Sequence, residues 1–149
     1  MPVLEDDGLV VADSTAILRH LEDRWPQPPL YPADPARRAE VEVFVDWFNR
    51  VWKVAPNALE SGEPDERLSS ELRDSRDVFE ALLDGRDFLF GDELTVADIV
   101  AFPFLKYGLI WDPADDEVFH RVLVEHLRLD GGYPRLRAWI RRADALPRA

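Results

Sequence analysis

Five prolines, Pro26, Pro28, Pro29, Pro32 and Pro35, fall within ten residues and constrain this chain more than any other feature. Each lacks a backbone N–H and fixes φ, so neither a helix nor a central strand continues through such a stretch. The segment is a stiff connector. It divides the 149 residues into a short unit at 1–24, a linker at 25–34 and a long unit at 35–149.

The short unit reads as a hairpin and a helix. Val3-Leu4 and Leu9-Val10-Val11 are apolar runs, joined by Glu5-Asp6-Asp7-Gly8, whose Asp-Gly pair suits a tight turn. A helix opens at Asp13-Ser14 and carries Ile17, Leu18 and Leu21 at helical spacing. Two strands alone are marginal in water, and one helix covers only one face of them. The hairpin is therefore expected to dock on another chain or to continue a longer sheet upstream.

The long unit reads as helices throughout. Asp34 caps the first and Pro35 occupies its first position. Val41, Phe44, Val45, Phe48 and Trp52 form its main stripe, and Val43 with Trp47 a second, so burial on two sides is expected. A second helix is expected from about Glu63-Pro64 to a cap near Gly85, a third from Thr95 to about Tyr107, a fourth at Val118–Leu127 and a last at Pro134–Ala143. Pro103 is expected to kink the third.

Composition removes several functions. No cysteine is present, which excludes disulfides, thiolate nucleophiles and Cys-ligated metals. The net charge of −12 disfavours nucleic acid and anionic membranes as partners. No apolar run approaches the ~20 residues that span a bilayer, and no charged-then-apolar leader opens the chain, so a cytoplasmic location is expected.

Three motifs in order resemble the glutathione S-transferase family. Pro2-Val3-Leu4, Asp6-Asp7-Gly8, Asp13-Ser14-Thr15-Ala16-Ile17-Leu18 and Leu21-Glu22 are similar to its third and fourth strands and third helix. Gly91-Asp92-Glu93-Leu94-Thr95-Val96-Ala97-Asp98-Ile99 resembles the G-x-x-x-T-x-A-D-I opening of its sixth helix, and Tyr133-Pro134, Leu136 and Trp139 its final Y-P-x-L-x-x-W helix. The resemblance implies a mainly α fold: a transferase-type C-terminal helical bundle preceded by a β-β-α remnant of a thioredoxin-like domain. The family's first strand–helix–strand–helix, with the Tyr, Ser or Cys that stabilises the thiolate, has no match here, so no catalytic residue is assigned. His20 stands where the pattern has Tyr. Met1-Pro2 stands where the family reads Val-Pro with a cis bond. A GTG codon encodes valine internally and methionine at a start, so the chain either begins at an internal codon of a longer gene or is a genuinely divergent, cut-down protein, and Met1-Pro2 is not expected to be held cis.

The resemblance also implies a site. Ser14 would hold the γ-glutamyl carboxylate of glutathione, or of a related γ-glutamyl thiol, at a helix N-terminus. Asp13 would lie near its ammonium, and the Val3 backbone would pair with the cysteinyl part. Read without the family, Asp13 or Ser14 is an N-cap and Val3 a strand residue. Trp47, with Phe48 and Trp52, would line a subsite for an apolar electrophile, or be plain core. Pro2 is structural, as are Thr95 and Asp98, which read as a capping box. His20, His120 and His126 show no metal or triad spacing, and Asp112–Glu117 reads as a solvated turn, so no metal is expected. The implied activity is transfer of a glutathione-type thiol to a small electrophile, or thiol-dependent reduction of one, with a homodimer as the assembly. The alternative is a non-catalytic assembly or ligand-binding module.

Overall fold

A computed structural model describes residues 2–62 and 65–147. Strands β1 (Val3–Asp6) and β2 (Leu9–Ala12) pair antiparallel with Val3 opposite Ala12 and Asp6 opposite Leu9. Asp7 and Gly8 make the two-residue turn, both at positive φ (50° and 83°), the conformation for which Asp-Gly is selected. Helix α1 (Ser14–Arg24) covers one side of the hairpin, while Val3, Leu9 and Val10 remain exposed. The expected cis state of Met1-Pro2 involves Met1, which lies outside the described residues.

The linker is not a loose tether. Glu22 of α1 accepts hydrogen bonds from the Leu30 and Tyr31 N–H groups (2.9 and 3.4 Å), and the Leu30 carbonyl accepts from Val96 N–H (2.9 Å). The prolines thus run as a strap from α1 to the start of a bundle helix. Beyond it, α2 (Pro35–Trp47) starts as expected, with the Asp34 side chain accepting from Arg37 N–H at 3.0 Å. A π-helical turn (Phe48–Trp52) then leads into α3 (Val54–Ser61). The expectation of one uninterrupted first helix missed both. Pro56 is tolerated in α3 because it sits in the first turn, where N–H groups have no intrahelical partner.

Helix α4 (Glu66–Leu82) is capped by Asp65, which accepts from Arg67 and Leu68 N–H. The expected start at Glu63-Pro64 lies outside the described residues. Gly85 follows α4 in a left-handed conformation (φ 68°), two residues beyond the capping Leu83. Helices α5 (Val96–Leu105), α6 (Val118–Leu127) and α7 (Pro134–Asp144) complete the bundle; α5 contains Pro103 and passes into a 3-10 turn at Lys106–Gly108.

The core sits among α2, α4, α5, α6 and α7. Phe48 and Trp52 stack at 4.5 Å, Phe48 meets Phe104 edge-on at 5.6 Å, and Phe79 packs against both Phe44 and Phe48. At about 1.5–3 kcal/mol per fully buried large side chain, these rings, with Trp139, Leu123 and Ile140, dominate the stabilising surface. The expected second buried side of α2 is met only in part: Val43 is 69% exposed, while Trp47 is half-buried and packs against Phe44 and Phe79.

Candidate functional site

The N-terminus of α1 and the π-turn after α2 face each other across a cleft of about 710 Å³. Asp13 enters α1 at φ 81°, ψ 132°, a conformation that non-glycine residues rarely adopt and that costs on the order of 1–3 kcal/mol. Three bonds hold it there. Its N–H donates to the Pro2 carbonyl (3.2 Å), and its carboxylate accepts from Thr15 and Ala16 N–H (2.9 and 3.2 Å). Asp13 is therefore the N-cap of α1. It consumes the N–H groups of the second and third positions and leaves the first residue, Ser14, with its N–H and hydroxyl unpaired among the described residues. Both project where the helix dipole is positive, so Ser14 has two donors for one anionic group.

The opposite wall comes from the π-turn. Lys53 N–H donates to the Phe48 carbonyl five residues back (3.1 Å), the bond that defines this turn. Asn49 and Lys53 face α1 together: Asn49 Nδ2 donates to Thr15 Oγ1 (3.1 Å), and Lys53 Nζ donates to Asn49 Oδ1 (2.7 Å). The Lys53 ammonium lies 4.4 Å from the Phe104 ring centroid and 5.5 Å from that of Phe48. Burial pushes its pKa below the usual lysine range, and the Asp13 charge partly opposes this. His20, also on the cleft wall, bonds Asp6 of β1 through Nε2 at 2.8 Å.

Of the residues singled out in sequence, Asp13 and Ser14 line this cleft and Val3 and Trp47 do not. Val3 is the exposed first residue of β1, next to the Pro2 carbonyl that accepts from Asp13 N–H. Trp47 faces a separate groove of about 360 Å³ with Val51, Trp52, Leu72 and Val78. Asn49, Arg50 and Lys53 were missed; the only signal is a polar i, i+4 pair beside an apolar stripe.

Thr95 and Asp98 lie away from the cleft, at the start of α5. The buried Asp98 carboxylate accepts from Thr95 N–H (2.9 Å), Thr95 Oγ1 (3.0 Å), Leu89 N–H (2.9 Å) and Trp139 Nε1 (2.8 Å). Burial raises its pKa above the usual carboxylate value, and these four donors pull the other way. The capping residue thus also joins α5 to α7 and to the segment before it.

The segment read as a solvated turn is more organised than expected. Asp115, Glu117 and His120 bring one ligand atom each to within 4.8 Å of one another. His120 Nδ1 lies 2.7 Å from Asp115 Oδ2, and its ring stacks on Tyr107 at 4.5 Å. The glycine-less, half-exposed arrangement serves as an ion-paired entry to α6. No helix among the described residues is long and apolar enough to cross a membrane.

A β-β-α unit strapped to a helical bundle, with a capped helix N-terminus facing a cleft, defines a thioredoxin-like fragment joined to a transferase-type helical domain. The comparisons agree. The family model "Glutathione S-transferase, C-terminal domain" matches residues 66–142 and "Glutathione S-transferase, N-terminal domain" matches residues 1–29, so the chain belongs to the glutathione S-transferase family. Glutathione S-transferase GstB of Escherichia coli K12 is 35% identical over 130 residues, covering 76% of this chain and 62% of that protein. FtsZ-localized protein A of Caulobacter vibrioides is 33% identical over 117 residues, covering 66% of this chain and 50% of that protein. The structure of the beta-etherase LigF of Sphingobium sp. SYK-6 superposes with a TM-score of 0.69 at 26% identity, covering 99% of this chain and 74% of that one. The chain thus spans between half and two thirds of the length of these curated relatives.

Proposed function

We propose that the chain is the larger part of a glutathione-dependent transferase, with Ser14 binding the γ-glutamyl carboxylate of glutathione or a related γ-glutamyl thiol. The observation that carries this reading is the unpaired Ser14 hydroxyl and N–H on the wall of the 710 Å³ cleft, beside an Asp13 that spends its own carboxylate on the helix. The division at residues 25–34 belongs to the same reading: 1–24 supplies the thiol side and 35–149 the facing wall. The reaction would form a carbon–sulfur bond as the electrophile's leaving group departs with its electron pair, or would reduce the electrophile at the thiol's expense. The group that stabilises the thiolate has no counterpart here and is proposed to lie on a preceding segment. The 149-residue chain alone is accordingly expected to conjugate a general electrophile no faster than buffer.

Ser14→Ala tests the reading. Calorimetric titration with glutathione is expected to show about a tenfold to hundredfold loss in affinity, the worth of a charge-assisted hydrogen bond. The melting temperature should be unchanged, because Asp13 caps the helix. Wild-type affinity in the variant would reject the role. The relative named for its localisation to FtsZ supports a second reading, a non-catalytic assembly module; that reading predicts no glutathione binding by wild type or variant.

A further inference from the structure

The cleft has a second binding end that the thiol reading leaves unused. Lys53 is half-buried, and no described carboxylate stands within ion-pair distance of its ammonium. Its donated bond to Asn49 Oδ1 occupies one of three N–H groups. Asn49 is in turn fixed by Thr15, so the ammonium is held in place rather than sweeping through solvent. The other cations on the cleft are engaged: Arg50 pairs with Asp46 at 4.0 Å, and Arg19 bonds Tyr31. Lys53 is also one of only two lysines in a chain that otherwise uses arginine for its positive charge, and it stands here in a protein of net charge −12. The Asp13 charge acts on Lys53 only from beyond ion-pair distance, and a half-buried ammonium with no directly paired counter-charge is costly unless something supplies one.

The geometry points to Lys53 as the recognition site for an anionic group, a carboxylate or sulfonate, on the second substrate of this cleft. The inference rests on the reading that the thiol's γ-glutamyl end occupies Ser14. From Ser14 a peptide thiol has two directions, and the one along β1 toward Val3 leaves the cleft. The other runs past Thr15 and Asn49 to Lys53, a short hydrogen-bonded path across the cleft floor. A thiol laid along β1 therefore leaves Lys53 to its partner. The substrate class is a small electrophile carrying a negative charge, which Lys53 neutralises among the polar side chains that line the cleft, while the Phe48 and Phe104 rings back the ammonium from the core side.

The test uses the full 149-residue chain and a pair of aromatic probes that lack any γ-glutamyl group, so its outcome is separate from that of Ser14→Ala. Fluorescence titration compares 1-anilinonaphthalene-8-sulfonate with uncharged N-phenyl-1-naphthylamine. Wild type is expected to bind the sulfonate roughly tenfold tighter or better, as one charge-assisted contact provides. Lys53→Met should abolish that preference and leave the uncharged probe's affinity unchanged, while Lys53→Arg should retain most of it. Lys53→Gln, which keeps a donor for Asn49, serves if the Met variant does not fold. Equal sulfonate binding by wild type and a folded Lys53→Met or Lys53→Gln chain would overturn the assignment. Loss of glutathione binding without loss of the sulfonate preference would remove the thiol reading and leave the anion site standing.

Discussion

Removing the Asp98 carboxylate should be among the most damaging single changes in this chain. In Asp98→Ala three N–H donors, on Leu89, Thr95 and the Trp139 indole, lose their acceptor at once. Leu89 and Trp139 are fully buried, so water does not replace it without opening the core. A buried donor left unpaired costs ~1–3 kcal/mol. With partial relaxation the three together come to about 4 kcal/mol, a large share of the 5–15 kcal/mol that holds an ordinary domain together. At roughly 2–4 °C per kcal/mol the melting temperature should fall by on the order of 10–15 °C. Asp98→Asn separates charge from geometry. Its amide keeps the volume and one acceptor oxygen but turns an NH₂ toward a donor, so it should lose about 1–3 kcal/mol. Urea unfolding followed by tryptophan fluorescence reads both, with Trp139 as a reporter beside the site. The sign with pH follows from burial. Because the folded carboxyl titrates above its ordinary value of 3.8, its contribution is fullest below 3.8 and declines as pH rises through the folded value. Acid should therefore not unfold the chain through Asp98. An Asp98→Ala variant within about 1 kcal/mol of wild type would refute the account of this carboxylate as the joint between α5 and α7.

Thr95→Ala removes one hydroxyl from the same carboxylate but leaves the Thr95 N–H bond, so it should cost only ~1 kcal/mol, with Thr95→Ser close to wild type by thermal unfolding. Asp115 should titrate below 3.8 in a carbon-13 NMR experiment, held down first by the Glu117 N–H and then by His120. His120→Ala should raise that midpoint without bringing it all the way back. The stability tied to Asp115 is present above 3.8 and lost as pH falls through the lowered value.

What was legible in sequence was local. Asp7-Gly8 at the hairpin turn, Asp34-Pro35 at the start of α2 and Thr95 with Asp98 at the start of α5 act within four residues, and each adopts the conformation its chemistry favours. Asp13-Ser14 was found for the same reason, although residue type alone does not say which of the two caps and which is left with free donors. That division follows from the φ of 81° at Asp13, which swings its carboxylate onto Thr15 and Ala16. Asp98 shows where local reading ends: its bonds to Leu89 and Trp139 join residues nine and forty-one positions away.

The cleft's far wall was illegible for a related reason. Counted at 3.6 residues per turn, Phe44, Phe48 and Trp52 make one uninterrupted apolar stripe, and Asn49 and Lys53 look like its solvated flank. The chain instead inserts a wider turn, with Lys53 N–H reaching Phe48 across five residues. This keeps Phe48 and Trp52 in the core, where Trp52 Nε1 donates to Ser75 Oγ at 3.0 Å. The same turn points Asn49 and Lys53 at α1. Such wide turns give up regular hydrogen-bond geometry, and they persist where the altered side-chain direction is used. Here the altered direction places an amide against Thr15 and a desolvated ammonium at the end of the cleft that Ser14 opens. The π-turn and the strained Asp13 face each other across this cleft, two departures from ideal backbone that direct Ser14 and Lys53 donors into the same space.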